Sequence, residues 1–315
     1  MDLVLAQLPL LLFTAIVPMA AGAFVGLSNA FLTVDFTPDA LRRIDRWTLL
    51  PLVILAVGLA AGLAFFVSPQ MSLLGVQGID TGALTFVGAL SVVFALAAVV
   101  YWIAAMMGVL SYPLRKAIAA FMSVLAIAYA VSMGIAYLTS AVSTWASIIV
   151  PVGFAGFCIV GGVPLGTLVI AAAGALPETK DTRFAWFTLF VAFIGALAAI
   201  VAVSVQLLNA QATAGALFTG ADLLPGAWVY LAVALAGFVV SLACLRSSLT
   251  IDRAAAPMGM TAGTATSMPQ YHGMTGARDR ADASVRTAVP WLVASNAAVL
   301  LALIVARIMF YALQL

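Results

Sequence analysis

The sequence predicts an all-α integral membrane protein, a bundle of eight transmembrane helices with the N-terminus and the C-terminus both outside. Three observations carry this: the composition, eight long apolar runs, and the placement of the basic residues. Of 315 residues, 65% are hydrophobic and 8% charged, with a mean hydropathy of +1.20. A soluble domain carries roughly a quarter charged residues and about half apolar ones. Thirteen Lys and Arg with eleven Asp and Glu cannot clothe 32.5 kDa in a polar surface. This excludes a cytosolic enzyme, a nucleic-acid binder and a disordered chain.

The apolar runs lie at about 8–32, 47–67, 83–110, 117–138, 148–176, 184–208, 228–245 and 290–313. Each is long enough to cross roughly 30 Å of hydrocarbon at about 1.5 Å per residue. Together they make residues 1–315 a single transmembrane domain. The first run does not read as a cleavable signal. Met1-Asp2-Leu3 supplies no positive region, and the run outlasts a signal core of about 7–15 residues.

The connections then divide by charge. Loops 33–46, 111–116, 177–183 and 246–289 hold 12 of the 13 basic residues, beginning with Arg42, Arg43 and Arg46. Loops 68–82, 139–147 and 209–227 hold none, and neither do the tails. Basic loops face the cytoplasm, so the alternation sets both termini outside and would fail with a miscounted span. Trp47, Trp186, Trp228 and Trp291 open spans and Trp145 just precedes one, as an interfacial aromatic belt requires. Gly22/Gly26, Gly58/Gly62 and Gly162/Gly166 are small-residue pairs that let helices approach closely. The stretch 246–289, rich in Met, Gly, Thr and Ala, reads as a flexible cytoplasmic loop, with His272 as a solvated residue or a ligand.

The same inventory limits the chemistry. Cys158 and Cys244 fall in apolar runs, and His272 is the single histidine. No disulfide framework, zinc site, haem ligation or iron–sulfur cysteine set can be read. No cofactor held covalently or through metal ligands is expected. All eleven carboxylates map to loops or tails, which argues against an ion-coupled transporter. One ionisable residue sits inside a run, Arg307, with Asn296, Gln206 or Asp80 as candidate polar company. An arginine at that depth is costly, and is either functional or snorkels to the headgroups. Pro164, within Gly161-Gly162-Val163-Pro164-Leu165-Gly166, either opens the fifth helix or marks a packing kink.

Several short motifs resemble the membrane-anchor subunit family of dimethyl sulfoxide reductase-type molybdoenzymes (the DmsC family). They are Thr144-Trp145, Ser147-Ile148, Pro151, Gly153-Phe154 and the Gly161-Gly162…Leu165-Gly166 element, in that order. Pro9-Leu10…Phe13-Thr14…Ala21-Gly22, Ser68-Pro69, and Arg307 with Phe310-Tyr311 are similar to further family segments. The resemblance implies a multi-pass subunit of the cell (inner/cytoplasmic) membrane. Such a subunit holds an iron–sulfur subunit and a molybdopterin catalytic subunit against the outer face, oxidises menaquinol, and passes the electrons on in anaerobic respiration. The terminal electron acceptor is then the partner's chemistry. Arg307, Ser68, Trp145 and Tyr311 are the candidate quinol-binding residues. Where better-known members carry a histidine and a glutamate tied to quinol oxidation, this protein has Phe65 and Val87, neither able to accept a proton. Two alternatives stay open: a structural anchor without quinol oxidation, and a small-solute transporter or channel.

Overall fold

A computed structural model describes residues 7–68, 80–138, 145–180, 182–212, 226–254 and 272–312, apart from the side chains of 251–286. The helices are α1 (Leu8–Thr33), α2 (Pro38–Trp47), α3 (Leu49–Phe66), α4 (Thr81–Met106), α5 (Tyr112–Leu138), α6 (Ile149–Ala172), α7 (Phe184–Ala212), α8 (Ala227–Ala254) and α9 (His272–Ala312). Among the described residues there is no strand. Eight helical segments, α2 and α3 counting as one, are long and apolar enough to cross a membrane.

Two helices form the centre. The most apolar stretches of α1 and α6 are 83% and 89% buried, against at most 50% for every other span. Their small residues explain why. A Cβ on Gly162 would fall 2.0 Å from the carbonyl carbon of Gly22, and one on Gly166 would fall 2.5 Å from the Ala23 oxygen. The pairs Gly22/Gly26 and Gly162/Gly166 therefore cross each other, backbone on backbone. Lipid is as apolar as leucine, so close contact of this kind, rather than hydrophobic exclusion, holds membrane helices together. On its other sides α6 repeats the device, with Gly134 against Pro151 and Gly156 against Ala199. Helix α6 runs unbroken past Pro164, so the Gly161–Gly166 stretch is a packing seat. Gly58 and Gly62 likewise take Val17 and Phe13 of α1.

The basic end of the bundle departs from the sequence reading. The expected loop 33–46 is largely α2, begun by Pro38 and capped by the Thr37 hydroxyl, which accepts from Ala40 N. Glu178 fastens this cap by accepting from Thr37 N at 2.9 Å and Thr37 Oγ1 at 3.0 Å. The α2 pattern is strongly amphipathic: Ala40 and Ile44 turn inward while Arg42, Arg43 and Arg46 are turned away from the core. Asp45 also turns inward and makes a buried ion pair with Arg115, while its carbonyl accepts from Trp102 Nε1 at 2.9 Å. Arg307 is thus not the one ionisable residue inside the helical spans. Charges that the sequence places in loops can be drawn into the protein when they pair.

The 246–289 stretch is helical at both flanks, through Ala254 and from His272, while 255–271 lie outside the described residues. The Ala- and Arg-rich 277–287 segment suits a helix. Helices α8 and α9 are joined by Ser241 and Ser295, whose hydroxyls lie 2.9 Å apart, with Ser295 Oγ also donating to Ser241 O.

A buried arginine in an aromatic box

At the end of the bundle opposite the basic one, the first turns of α1 and α6 meet the last turns of α5 and α9. Heptad-like spacing on α9 puts Arg307, Phe310 and Tyr311 on one face, since residues three and four apart are helical neighbours. The same spacing on α6 aligns Phe154 with Phe157. Arg307 is 1% exposed. Its guanidinium carbon lies 3.6 Å from the ring centre of Phe154, 4.7 Å from Phe157 and 5.1 Å from Phe310. Aromatic faces attract a cation by about 2 kcal/mol or more when both are desolvated.

Beside the box lies a hydroxyl cluster. The Tyr137 and Tyr311 hydroxyls are 2.7 Å apart, and Tyr311 reaches Thr14 Oγ1 at 3.4 Å. Trp145 stacks on Phe310, with centroids 4.9 Å apart and 3° between planes. Its Nε1 donates to Phe310 O at 3.1 Å. That carbonyl stands in the last turn of α9, where helical partners run out, so the indole serves as its cap. Tyr137 stacks on Phe154 and meets Trp145 and Phe310 edge-on.

The electrostatics are one-sided. Arg307 Nε and Nη2 are buried with no hydrogen-bond partner among the described residues. Among the described residues its charge is felt by the Tyr311 and Tyr137 hydroxyls, and no carboxylate makes an ion pair with it. Asp80 caps α4 through Gly82 N and Ala83 N instead, and Asn296 donates to Leu292 O. A desolvated cation with idle donors is costly and presents hydrogen bonds to any acceptor oxygen that enters. No group of three metal-ligating side chains occurs among the described residues.

Three of the four sequence candidates, Arg307, Trp145 and Tyr311, therefore share one cluster. Ser68 does not join it: its hydroxyl donates to Phe65 O at 2.7 Å, closing the end of α3. Trp145 is not a belt residue, being 1% exposed, whereas Trp47, Trp186, Trp228 and Trp291 are 42–63% exposed. Phe65 and Val87 are both buried. Tyr137, Phe157 and the Thr14 hydroxyl are members that sequence reasoning did not assign to the site. Thr14 and Phe154 do stand in the motifs quoted above, and nothing in sequence marked Tyr137.

The bundle and its site define the class as a multi-pass helical membrane protein with a buried cationic site at one end. Residues 1–261 match the family described as DMSO reductase anchor subunit (DmsC), and the chain belongs to that family. A 167-residue stretch, 53% of this protein, is 29% identical to the C subunit of the anaerobic dimethyl sulfoxide reductase of Escherichia coli (strain K12). The match spans 58% of that relative's length. No solved structure matches this protein. Arg307, Phe310 and Tyr311 stand beyond the residues matched to the family.

Proposed function

We propose that this protein anchors a dimethyl sulfoxide reductase-type molybdoenzyme complex in the cell membrane and oxidises menaquinol there, handing the electrons to an iron–sulfur subunit. That subunit and a molybdopterin subunit dock on the outer face, at the end of the bundle that carries Trp145 and Arg307. One observation supports the reading above others: Arg307 is a buried cation with idle donors and, among the described residues, no carboxylate partner. A quinol oxygen gains negative charge as it loses its proton, and fixed donors in a dry site stabilise that charge. Oxidation releases two electrons and two protons, and placement at the outer end keeps both exits short.

A second reading has its own observation. Phe65 and Val87 are buried and aprotic, which suits an anchor that leaves quinol chemistry aside. Arg307→Leu separates the two when complex assembly and menaquinol turnover are measured together. The quinol role predicts an assembled complex whose turnover falls by about 100-fold, the scale of losing one charge-stabilising donor. Assembly together with unchanged turnover would defeat the quinol role, and lost assembly would favour the purely structural one.

A further inference from the structure

Helix α2 is fastened on one side and carries unanswered charge on the other. Ala40 and Ile44 are buried, Asp45 pairs with Arg115 in the interior, and Glu178 holds the Thr37 cap. Successive helical residues turn by about 100°, which brings positions 39, 42, 43 and 46 together on the opposite side. Arg42, Arg43 and Arg46 are all exposed there, and among the described residues no carboxylate makes an ion pair with them. Asp39, on the same side, stands in the first turn, where a carboxylate suits the helix N-terminus.

Depth sets what such a face meets. Helix α3 follows directly after Thr48 and has 18 residues. At about 1.5 Å per residue it spans roughly 27 Å, nearly the whole of a hydrocarbon core of about 30 Å. That leaves α2 beyond the hydrocarbon, at the level of the lipid head groups. Trp47 at the junction is 46% exposed, the setting in which an indole sits among head groups. The chain neighbours of α2, α1 and α3, are both spans, so the helix stays at the membrane surface.

We propose that the outer side of α2 binds the phosphate groups of anionic phospholipid in the leaflet at the basic end. Charge complementarity names the partner: three cations within two helical turns face the layer that carries the lipid phosphates. Guanidinium groups make strong charge-assisted hydrogen bonds to phosphate, and basic residues on an interfacial amphipathic helix are drawn to anionic head groups. The buried side of α2 already holds the helix in shape. Binding therefore orders only side chains and lipid, which keeps its entropic cost low. This inference does not depend on the quinol reading.

To test it, the full chain is purified in mild detergent, stripped of lipid, and melted with phosphatidylglycerol, phosphatidylcholine or inorganic phosphate added. Phosphatidylglycerol is expected to raise the wild-type melting temperature by about 5 °C and the other two to leave it unchanged, since a ligand of the folded state stabilises it. Each basic residue near an anionic surface strengthens attachment about fivefold. Arg42→Gln/Arg43→Gln/Arg46→Gln should therefore need on the order of 100-fold more phosphatidylglycerol for the same rise. Arg42→Lys/Arg43→Lys/Arg46→Lys keeps the charge and should restore most of the response. Arg246→Gln, which removes an exposed arginine of α8, should behave as wild type. Equal protection of the glutamine variant would overturn the proposal, and so would equal protection by phosphatidylcholine. Protection by inorganic phosphate at the same concentration would make this a site for free phosphate, not lipid. A lysine variant that fails as the glutamine one does would trace the loss to damage of the helix and defeat the proposal. Native mass spectrometry should also count fewer phosphatidylglycerol molecules on the glutamine variant. An unchanged lipid count, with an acidic soluble protein lost instead, would hand the face to that protein.

Discussion

Tyr137 and Tyr311, 174 residues apart, are joined hydroxyl to hydroxyl at 2.7 Å in the buried interior beside Arg307. The pair ties the end of α5 to the end of α9, and through Thr14 to α1. Three segments distant in sequence are thereby held around one guanidinium. Loss of one buried hydrogen bond costs about 0.5–1.5 kcal/mol. Tyr311→Phe is accordingly expected to lower stability by that amount, and a double-mutant cycle with Tyr137→Phe to show positive coupling. Thermal denaturation in detergent measures both. Independent, additive effects would mean that the contact does no structural work.

The crossing of α1 on α6 gives a second expectation. In Gly162→Ala the new methyl meets the Gly22 backbone at 2.0 Å, and backbone cannot swing aside as a side group would. Overpacking costs typically 1–3 kcal/mol, and a clash with backbone belongs at about 3 kcal/mol or above. Gly82→Ala is the control, since its nearest neighbour is a movable Asp80 carboxylate oxygen at 3.1 Å. That change is expected to stay within about 0.5 kcal/mol. Comparable melting temperatures for the two variants would contradict the packing argument.

Two ion pairs among the described residues at the basic end differ in kind. Asp45–Arg115 is buried, with side chains 4% and 6% exposed, whereas the Asp35 side chain of Asp35–Lys116 is 88% exposed. Removing one partner of a buried pair strands the other, so Arg115→Leu is expected to cost about 3–5 kcal/mol. Asp45→Leu/Arg115→Leu should recover most of it. Lys116→Ala is expected to leave the melting temperature unchanged at neutral pH, because water and salt screen the pair. The Lys116 hydrogen bond and charge hold the Asp35 carboxyl below its ordinary value. Any stability from it is present above the unfolded carboxylate pKa and fades as pH falls through the lowered one. A melting temperature that tracked Lys116 but not Arg115 would reverse this ranking.

Legibility followed the physics of each signal. Spans are legible because a bilayer demands about twenty apolar residues in a row, and every expected span has its helix. Arg307 was legible for the same reason, as a charge inside such a run. Helix α2 was not, because a ten-residue amphipathic segment carrying three arginines has the composition of a loop. Asp45 and Arg115 read as loop charges because the burial of each depends on a partner 70 residues away. Trp145 illustrates the limit most clearly. A tryptophan at a span end suits the headgroup belt, and only the arrival of Phe310 over its ring takes it into the core. Tyr137 carried no signal, since a buried tyrosine near a span end has the same local sequence as an interfacial one.

The last prediction concerns sidedness, on which both the partner docking and the proton exit depend. The 12 basic residues of the expected loops 33–46, 111–116, 177–183 and 246–289 all belong to one end of the bundle, and the expected loops 68–82, 139–147 and 209–227 contain none. Positive charge is retained on the cytoplasmic side during insertion, so the Arg307 end is expected to face outward together with both termini. Cys158 and Cys244 are free and buried, which leaves a quiet background for labelling. Single cysteines are introduced at Leu315 and, at the opposite end, at His272, and intact cells are treated with a membrane-impermeant maleimide. Leu315→Cys should label in whole cells, while His272→Cys should label only after permeabilisation. The reverse pattern would turn the bundle over and move the docking face to the cytoplasm. Labelling of both in whole cells would break the eight-span alternation itself, since positions 272 and 315 are separated by one span.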